Sequence, residues 1–344
     1  MLLAGDIGGT KTVLALFSAE QGPNMPLTRK TFASAGYQSL EAMIREFLQM
    51  IDVEIETACL AVAGPVFSNR AQITNLSWVV DAESVGSTFG WCSVRLMNDL
   101  EAVAYAIPIL EASDIFTLSS GNPVLGGNIS VLAPGTGLGE AFLTKSDGRY
   151  MAHASEGSHT SFAPLDELQM GLLRFLQDKM SFDHVSYERV CSGGLGIPNL
   201  YRYLKETGFA EEPKWLSEKL VGSDDPTPVI IAAALDHETP CPLCQSTLDL
   251  FISILGAEAG NHALKIMATG GIYLGGGIPP RILSELQKPA FLNALRRKGR
   301  FQTMLTDFPV NVILNAQAGL IGAAAFGFDH QSVRSFLNAE SRSQ

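Results

Sequence analysis

Leu2-Leu-Ala-Gly-Asp-Ile-Gly-Gly-Thr-Lys-Thr-Val-Leu-Ala-Leu-Phe17 is the stretch on which the reading of the fold turns. Apolar runs at 2–4 and 12–17 flank Gly5-Asp-Ile-Gly-Gly-Thr-Lys11, and that arrangement predicts a β-hairpin. Farther along, an apolar run at 129–133, the turn Pro134-Gly-Thr-Gly-Leu-Gly139 and a second run at 141–144 repeat it. A recurring hairpin points to a duplicated domain plan. Between the two, Leu40, Met43, Ile44, Phe47, Leu48 and Ile51 fall at helical spacing behind a Ser39 N-cap. Residues 58–63 predict a buried strand stopped by Gly64-Pro65. A strand at 94–97 leads into a helix over 99–107 that Pro108 ends. Beyond the second hairpin, helices are predicted at 166–180, 198–207, 247–267 and 319–326, and a polar loop near 211–228. A strand with glycines is expected at 271–277 and another strand at 310–314. Strands alternating with helices predict an α/β architecture.

At 344 residues the chain has room for about two domains. Its hydrophobic content of 46% against 17% charged residues is that of a packed globule, which excludes disordered and fibrous classes. Lys+Arg 24 against Asp+Glu 35 leaves a net charge of −11, unsuited to nucleic acid or anionic membrane. The apolar runs at 229–235 and 320–328 fall short of the roughly 18 residues of a membrane span. Met1 to Asp6 has no basic segment, so no secretory signal is expected. Cysteines 59, 92, 191, 241 and 244 are odd in number, which fits reduced thiols and a cytoplasmic setting.

Several segments carry chemistry, each with a plainer reading beside it. In the first turn Gly8, Gly9 and Thr10 offer backbone and hydroxyl donors to an anion, and Asp6 suits Mg²⁺, directly or through water. The plainer reading is an ordinary glycine hairpin with Lys11 as a solvated charge. The second turn, Gly135-Thr-Gly-Leu-Gly139, is followed by a strand where a dinucleotide fingerprint requires a helix. Two glycine hairpins suit a nucleoside triphosphate held from both sides. Gly275, Gly276 and Gly277 either let a purine lie against backbone or simply make a tight strand–helix turn. Asp99 ends an apolar strand and opens a helix, as either a helix cap or a general base. Glu156, His159 and Glu188 suit a ligand rich in hydroxyls, or are surface and capping residues. Cys241-Pro-Leu-Cys244 supplies two of the about four ligands a structural zinc needs, so no zinc is expected.

Taken together, the ordered motifs resemble the bacterial glucokinase family, in the sugar-kinase branch of the actin, hexokinase and Hsp70 superfamily. They are Gly5-Asp-Ile-Gly-Gly-Thr10, Ala63-Gly-Pro65, Thr74-Asn-Leu-Ser-Trp78, Met97-Asn-Asp99, Gly135-Thr-Gly-Leu-Gly139, Glu156-Gly-Ser-His159, Glu188-Arg-Val-Cys-Ser-Gly193, Leu274-Gly-Gly-Gly-Ile-Pro279 and Gly319-Leu-Ile-Gly322. The resemblance implies two actin-like (ribonuclease H-like) α/β domains flanking a cleft that closes on sugar. Residues 1–109 would form the small domain, completed by a C-terminal helix at 316–330. Residues 110–315 would form the large domain and 331–344 a tail. It implies an ATP- and Mg²⁺-dependent kinase for the glucose 6-hydroxyl, with Asp99 as base. Asn75, Asn98, Asp99, Glu156, His159 and Glu188 would bind sugar. Asp6, Gly8, Gly9, Thr10 and Lys11 match the first phosphate loop, and Gly135, Thr136 and Gly137 the second, with Gly275–Gly277 also at the nucleotide. A homodimer is expected. Ser158 stands where close relatives often carry Gly, and Lys11 where some have Asn. Other hexoses or amino sugars, and a non-catalytic nucleotide or sugar sensor, remain the alternatives. No helix-turn-helix fits ahead of Asp6, against a sugar-responsive repressor.

Overall fold

A computed structural model describes residues 1–73 and 76–341. The first part of the chain forms β1 (Leu2–Ile7), β2 (Lys11–Phe17), β3 (Thr28–Ala33), α1 (Leu40–Leu48), β4 (Thr57–Val62), β5 (Val66–Phe67), β6 (Arg70–Gln72), β7 (Val79–Asp81), α2 (Ala82–Phe89), β8 (Ser93–Asn98) and α3 (Asp99–Ala106). A five-stranded sheet takes the order β3-β2-β1-β4-β8, and β5-β6-β7 form a small separate sheet. The predicted hairpin is β1 and β2, paired antiparallel from Leu2↔Phe17 to Ile7↔Thr12. β1, β4 and β8 run parallel, with Ile7, Val62 and Asn98 in one row. Asp6 and Asp99 therefore flank the same carboxyl edge of the sheet, where α/β proteins place ligands.

The strands are apolar on both faces because both faces are covered. Alternation sends Leu3, Leu14 and Leu60 to the side packed by Leu40, Met43, Ile44 and Phe47 of α1. Leu2, Ala4, Phe17 and Cys59 go to the opposite side, against Leu320, Ala323 and Ala324. Those last residues belong to the C-terminal helix, which closes onto this part of the molecule. Ser39 caps α1 as expected, accepting from the Ala42 N–H at 3.3 Å.

The rest of the chain supplies β9 (Ile115–Ser119), β10 (Ile129–Pro134), β11 (Leu138–Ser146), β12 (Arg149–Ser155), α4 (Glu167–Asp178), α5 (Gly196–Glu206), α6 (Lys214–Val221), α7 (Pro226–Leu235) and α8 (Pro242–Ile266). Then come β13 (Gly271–Leu274), α9 (Leu283–Leu286), α10 (Pro289–Arg296), α11 (Gln302–Thr306), β14 (Val310–Ile313) and α12 (Ala318–Ser341). The six-stranded sheet runs β12-β11-β10-β13-β14-β9, with β10, β13 and β14 parallel. Its core combines Leu132, Ile272 and Val312 with Leu248, Phe251 and Leu255 of α8.

Three expectations change. The predicted polar loop near 211–228 contains α6, which buries Leu216 on a mostly polar helix. α8 starts at Pro242, ahead of the predicted 247, with proline in the first turn where its missing N–H costs nothing. α12 runs to Ser341, past the expected end at 330. It crosses α3 closely enough that a Cβ on Gly322 would fall 1.8 Å from the Ala102 carbonyl oxygen.

Internal contacts divide the chain into two compact units. One holds Met1–Glu111, Tyr150–Ala154 and the chain from Asn315 on; the other holds Ala112–Arg149 and Ser155–Leu314. Among the described residues no helix is long and apolar enough to cross a membrane.

Candidate active site

In the first unit the turn between β1 and β2 is held from within and from below. The Gly8 N–H donates to the Lys11 carbonyl at 3.0 Å. A Cβ on Gly8 would fall 2.8 Å from that same oxygen, so only glycine fits without a backbone shift. Ser34, fully buried, donates its hydroxyl to the Gly8 carbonyl at 2.7 Å and lies 3.0 Å from Thr12 Oγ1. Its backbone N–H reaches the Thr10 carbonyl at 3.0 Å. Sequence reasoning missed Ser34, because its contacts are far from the turn in sequence. Thr10 and Lys11 are exposed above this clamp.

Asp99 is not the helix cap. That role belongs to Asn98, whose Oδ1 accepts from the N–H groups of Leu100 at 3.0 Å and Glu101 at 3.2 Å. Glu101 reaches back to the Asn98 N–H at 3.4 Å, completing a capping box. Asn98 Nδ2 donates to the Gly64 carbonyl at 3.1 Å, tying the loop after β4 to α3. Asp99 is thus the first helical residue, half-buried, and free of the capping duty that would have explained it. Desolvation, then the nearby charge of Asp6, push its carboxyl up to about 6, against lowering by the Leu100 N–H at 2.9 Å. Burial also raises Asp6, with the Lys11 cation opposing. Asp6 offers the kind of hard carboxylate oxygen that a divalent cation prefers. Gly319, in the first turn of α12, would place a Cβ 3.5 Å from Asp6 Oδ2, so that helix begins beside the carboxylate. Asn75 and Thr74 lie outside the described residues.

The second unit carries the other glycine turn. Gly135 N–H closes it onto the Gly137 carbonyl at 2.8 Å, between β10 and β11. The N–H groups of Gly193 and Gly194 then donate to the carbonyls of Gly135 at 2.7 Å and Thr136 at 2.8 Å. These two glycines, also missed as loop supports, cannot carry side chains: each Cβ would fall within 2.8 Å of the carbonyl it binds. On the other side, Gly275 N–H reaches the Leu132 carbonyl at 2.8 Å, and Gly276 turns the chain with φ of 79°. Gly275 and Gly276 therefore serve the strand–helix turn, whereas a Cβ on Gly277 would meet open space.

Glu156, His159 and Glu188 come together. His159 Nε2 lies 3.7 Å from Glu156 Oε2, and its Nδ1 lies 3.5 Å from Glu188 Oε2. Glu188 Oε1 in turn approaches Gly137, at 3.3 Å from where a Cβ would be. The cluster is a solvent-accessible row of acceptors beside the second glycine turn. Cys241 and Cys244 sit buried in the α5–α8 core, and among the described residues no group of three metal-ligating side chains occurs.

With this geometry, the Glucokinase family model matches residues 3–330. The chain belongs to the glucokinase family. The glucokinase of Nostoc punctiforme is 40% identical over 336 residues, covering 94% of this chain and 98% of its own. That of Synechocystis is 38% identical over 345 residues, covering 94% and 96%. A glucokinase crystal structure from an Antarctic psychrotroph superposes with a TM-score of 0.79 at 32% identity, over 95% of this chain and 98% of that one. As a member of this family the chain has the actin-like α/β fold and is a hexose kinase, an enzyme of ATP-dependent glucose phosphorylation.

Proposed function

We propose that Asp99 is the general base that takes the proton from the glucose 6-hydroxyl as its oxygen attacks the γ-phosphorus of ATP in line, breaking the bond from that phosphorus to the β–γ bridging oxygen so that ADP leaves. The observation that carries this is the capping box: Asn98 and Glu101 do the capping, so Asp99 is left with a carboxylate at the sheet edge. A base needs a pKa below working pH yet high enough to accept a proton, and about 6 meets both needs.

Glu156, His159 and Glu188 bind the sugar hydroxyls, joined by the Nδ2 hydrogen that Asn98 does not spend on Gly64 and by Asn75. The Gly8–Lys11 and Gly135–Gly137 turns offer the phosphates N–H groups other than those of Gly8 and Gly135, which close the turns, and Gly277 leaves room for the nucleotide's purine. Asp6 would hold Mg²⁺, with waters and phosphate oxygens completing the oxygen shell this ion prefers. Magnesium, when bound, neutralises charge on the transferring phosphoryl group. The two compact units are read as the family's small and large domains, 1–109 with 316–330 and 110–315. A cytoplasmic homodimer that uses no zinc belongs to the same proposal, supported by the family resemblance and by the Cys241–Cys244 pair, which supplies at most two of the about four ligands a structural zinc needs.

The test is ADP release followed across a panel of hexoses with ATP, on the parent protein and on Glu188→Ala. Losing a charge-assisted hydrogen bond of about 1.5–3 kcal/mol raises the glucose KM by roughly 10- to 100-fold, with the ATP KM little changed. Equal weakening of both substrates contradicts the sugar assignment. A preference for an amino sugar redirects the substrate while leaving the chemistry intact.

A further inference from the structure

Beneath the sugar cluster lies a group of buried titratable side chains that the reaction does not use. Glu140, on β11 opposite Leu132 of β10, is only 2% exposed. A Cβ on Gly157 would fall 2.2 Å from Glu140 Oε2. The carboxyl group thus lies flush against the turn that carries Glu156 and His159. Neither of its oxygens has a hydrogen-bond partner among the described residues. The Gly157 N–H is already committed to Ser155 Oγ at 3.0 Å.

The groups around it come from several elements. From α8, Glu258 is fully buried; its Oε2 accepts from Asn261 Nδ2 at 2.9 Å, and Lys265 Nζ stands 3.8 Å from its Oε1. Asn261 Nδ2 also donates to the Tyr187 hydroxyl at 2.8 Å, next in sequence to Glu188. Lys298, after α10, donates to Asn261 Oδ1 at 2.6 Å and to the Ala257 carbonyl at 2.8 Å. His262 pairs with Ser130 of β10 at 2.7 Å, and burial lowers it to about 4, so it is neutral near pH 7. Cys191 faces both carboxyls, and burial with their charge pushes its thiol up. The two lysines are arrayed around Glu258 and its Asn261 partner. Burial, then the charge of Glu258, push Glu140 up to about 8, with Lys265 opposing.

We infer that Glu140 is a positioning residue for sugar recognition: its neutral carboxyl is the floor of the Gly157 turn, and ionising it displaces the turn together with Glu156 and His159. A carboxylate pressed against backbone without a donor must draw in water or move, because an unpaired buried charge is far costlier than a neutral acid. The binding-competent form is the protonated one. Glucose affinity is therefore full below the Glu140 pKa and falls as pH rises through about 8. The inference rests on the assignment of Glu156 and His159 to the sugar.

Its test is the KM for glucose and for ATP between pH 7 and pH 9, in the parent, Glu140→Gln and Glu156→Ala. In the parent the glucose KM is expected to rise about tenfold, following the loss of the competent fraction, while the ATP KM stays level. Glu140→Gln, of the same shape and never charged, keeps the parent glucose KM at pH 7 and shows no rise. A level parent profile overturns the inference, as does a Glu140→Gln enzyme that keeps the rise or binds glucose poorly at pH 7. If Glu140→Gln does not fold, Glu258→Gln replaces it. Removing that charge eases Glu140 ionisation and moves the rise to lower pH, and an unmoved rise overturns the inference. An unchanged glucose KM in Glu156→Ala overturns the sugar assignment itself. A raised KM there with a level parent profile overturns only the role of Glu140.

Discussion

Asp99→Asn is expected to lower kcat by about 100-fold or more while the protein melts no earlier than its parent. General-base catalysis contributes on the order of 10²–10⁴-fold, and an amide cannot take the hydroxyl proton. The fold has little to lose, because Asn98 and Glu101 make the capping box without Asp99. The substitution also removes a desolvated carboxylate that Asp6 repels, so the unfolding temperature holds or rises. Glucose affinity by direct titration stays within a modest factor of the parent. Turnover and thermal unfolding on the same preparation check all of this. A well-folded Asp99→Asn protein with near-parent turnover removes Asp99 from the chemistry.

Among the described helical glycines, Gly322→Ala should carry the largest stability loss, because its added Cβ would have the closest backbone contact. The Cβ would fall 1.8 Å from the Ala102 carbonyl oxygen and 2.7 Å from its carbon, where neither helix has a flexible side chain to yield. α12 must therefore lift from α3. Overpacking of this kind costs about 1–3 kcal/mol, more than the roughly 1 kcal/mol an alanine gains over glycine in a helix. Because α3 begins at Asp99, kcat should fall together with the unfolding temperature. Gly86→Ala is the control: it lies in α2, and its nearest contact would be an ordinary 3.5 Å from Val94. That variant is expected to be neutral or stabilising. If both alanine variants melt alike, the close crossing does not hold the two helices in place.

Much of the fold was legible because its signals are local. The β1–β2 hairpin, the Ser39 cap of α1, and β4 and β8 all follow from periodicity and stop signals within a few residues. The neighbouring pair Asn98-Asp99 offered two good caps, and the plainer reading gave Asp99 that role. The discriminating signal was in the sequence, since Glu101 stands three residues after Asn98, the spacing of a capping box. α6 escaped because it buries only Leu216 among polar neighbours and prolines. The Glu156, His159 and Glu188 cluster, proposed to bind the sugar, was half legible: Glu156 and His159 share one turn, whereas Glu188 joins them only through tertiary structure. The same holds for Ser34, Gly193 and Gly194, whose partners lie tens of residues away, and for Glu140, whose neighbours Gly157 and Glu258 come from distant parts of the sequence.

The most direct measurement is kcat/KM for glucose between pH 5 and pH 7, at saturating ATP. A base whose carboxyl titrates at about 6 works only when ionised, so activity is present above that pH and lost below it. The expected profile is level near pH 7 and falls about tenfold per pH unit on the acid side, with no such limb in the residual rate of Asp99→Asn. A profile that stays level down to pH 5, or an Asp99→Asn enzyme that keeps the limb, contradicts Asp99 as the base.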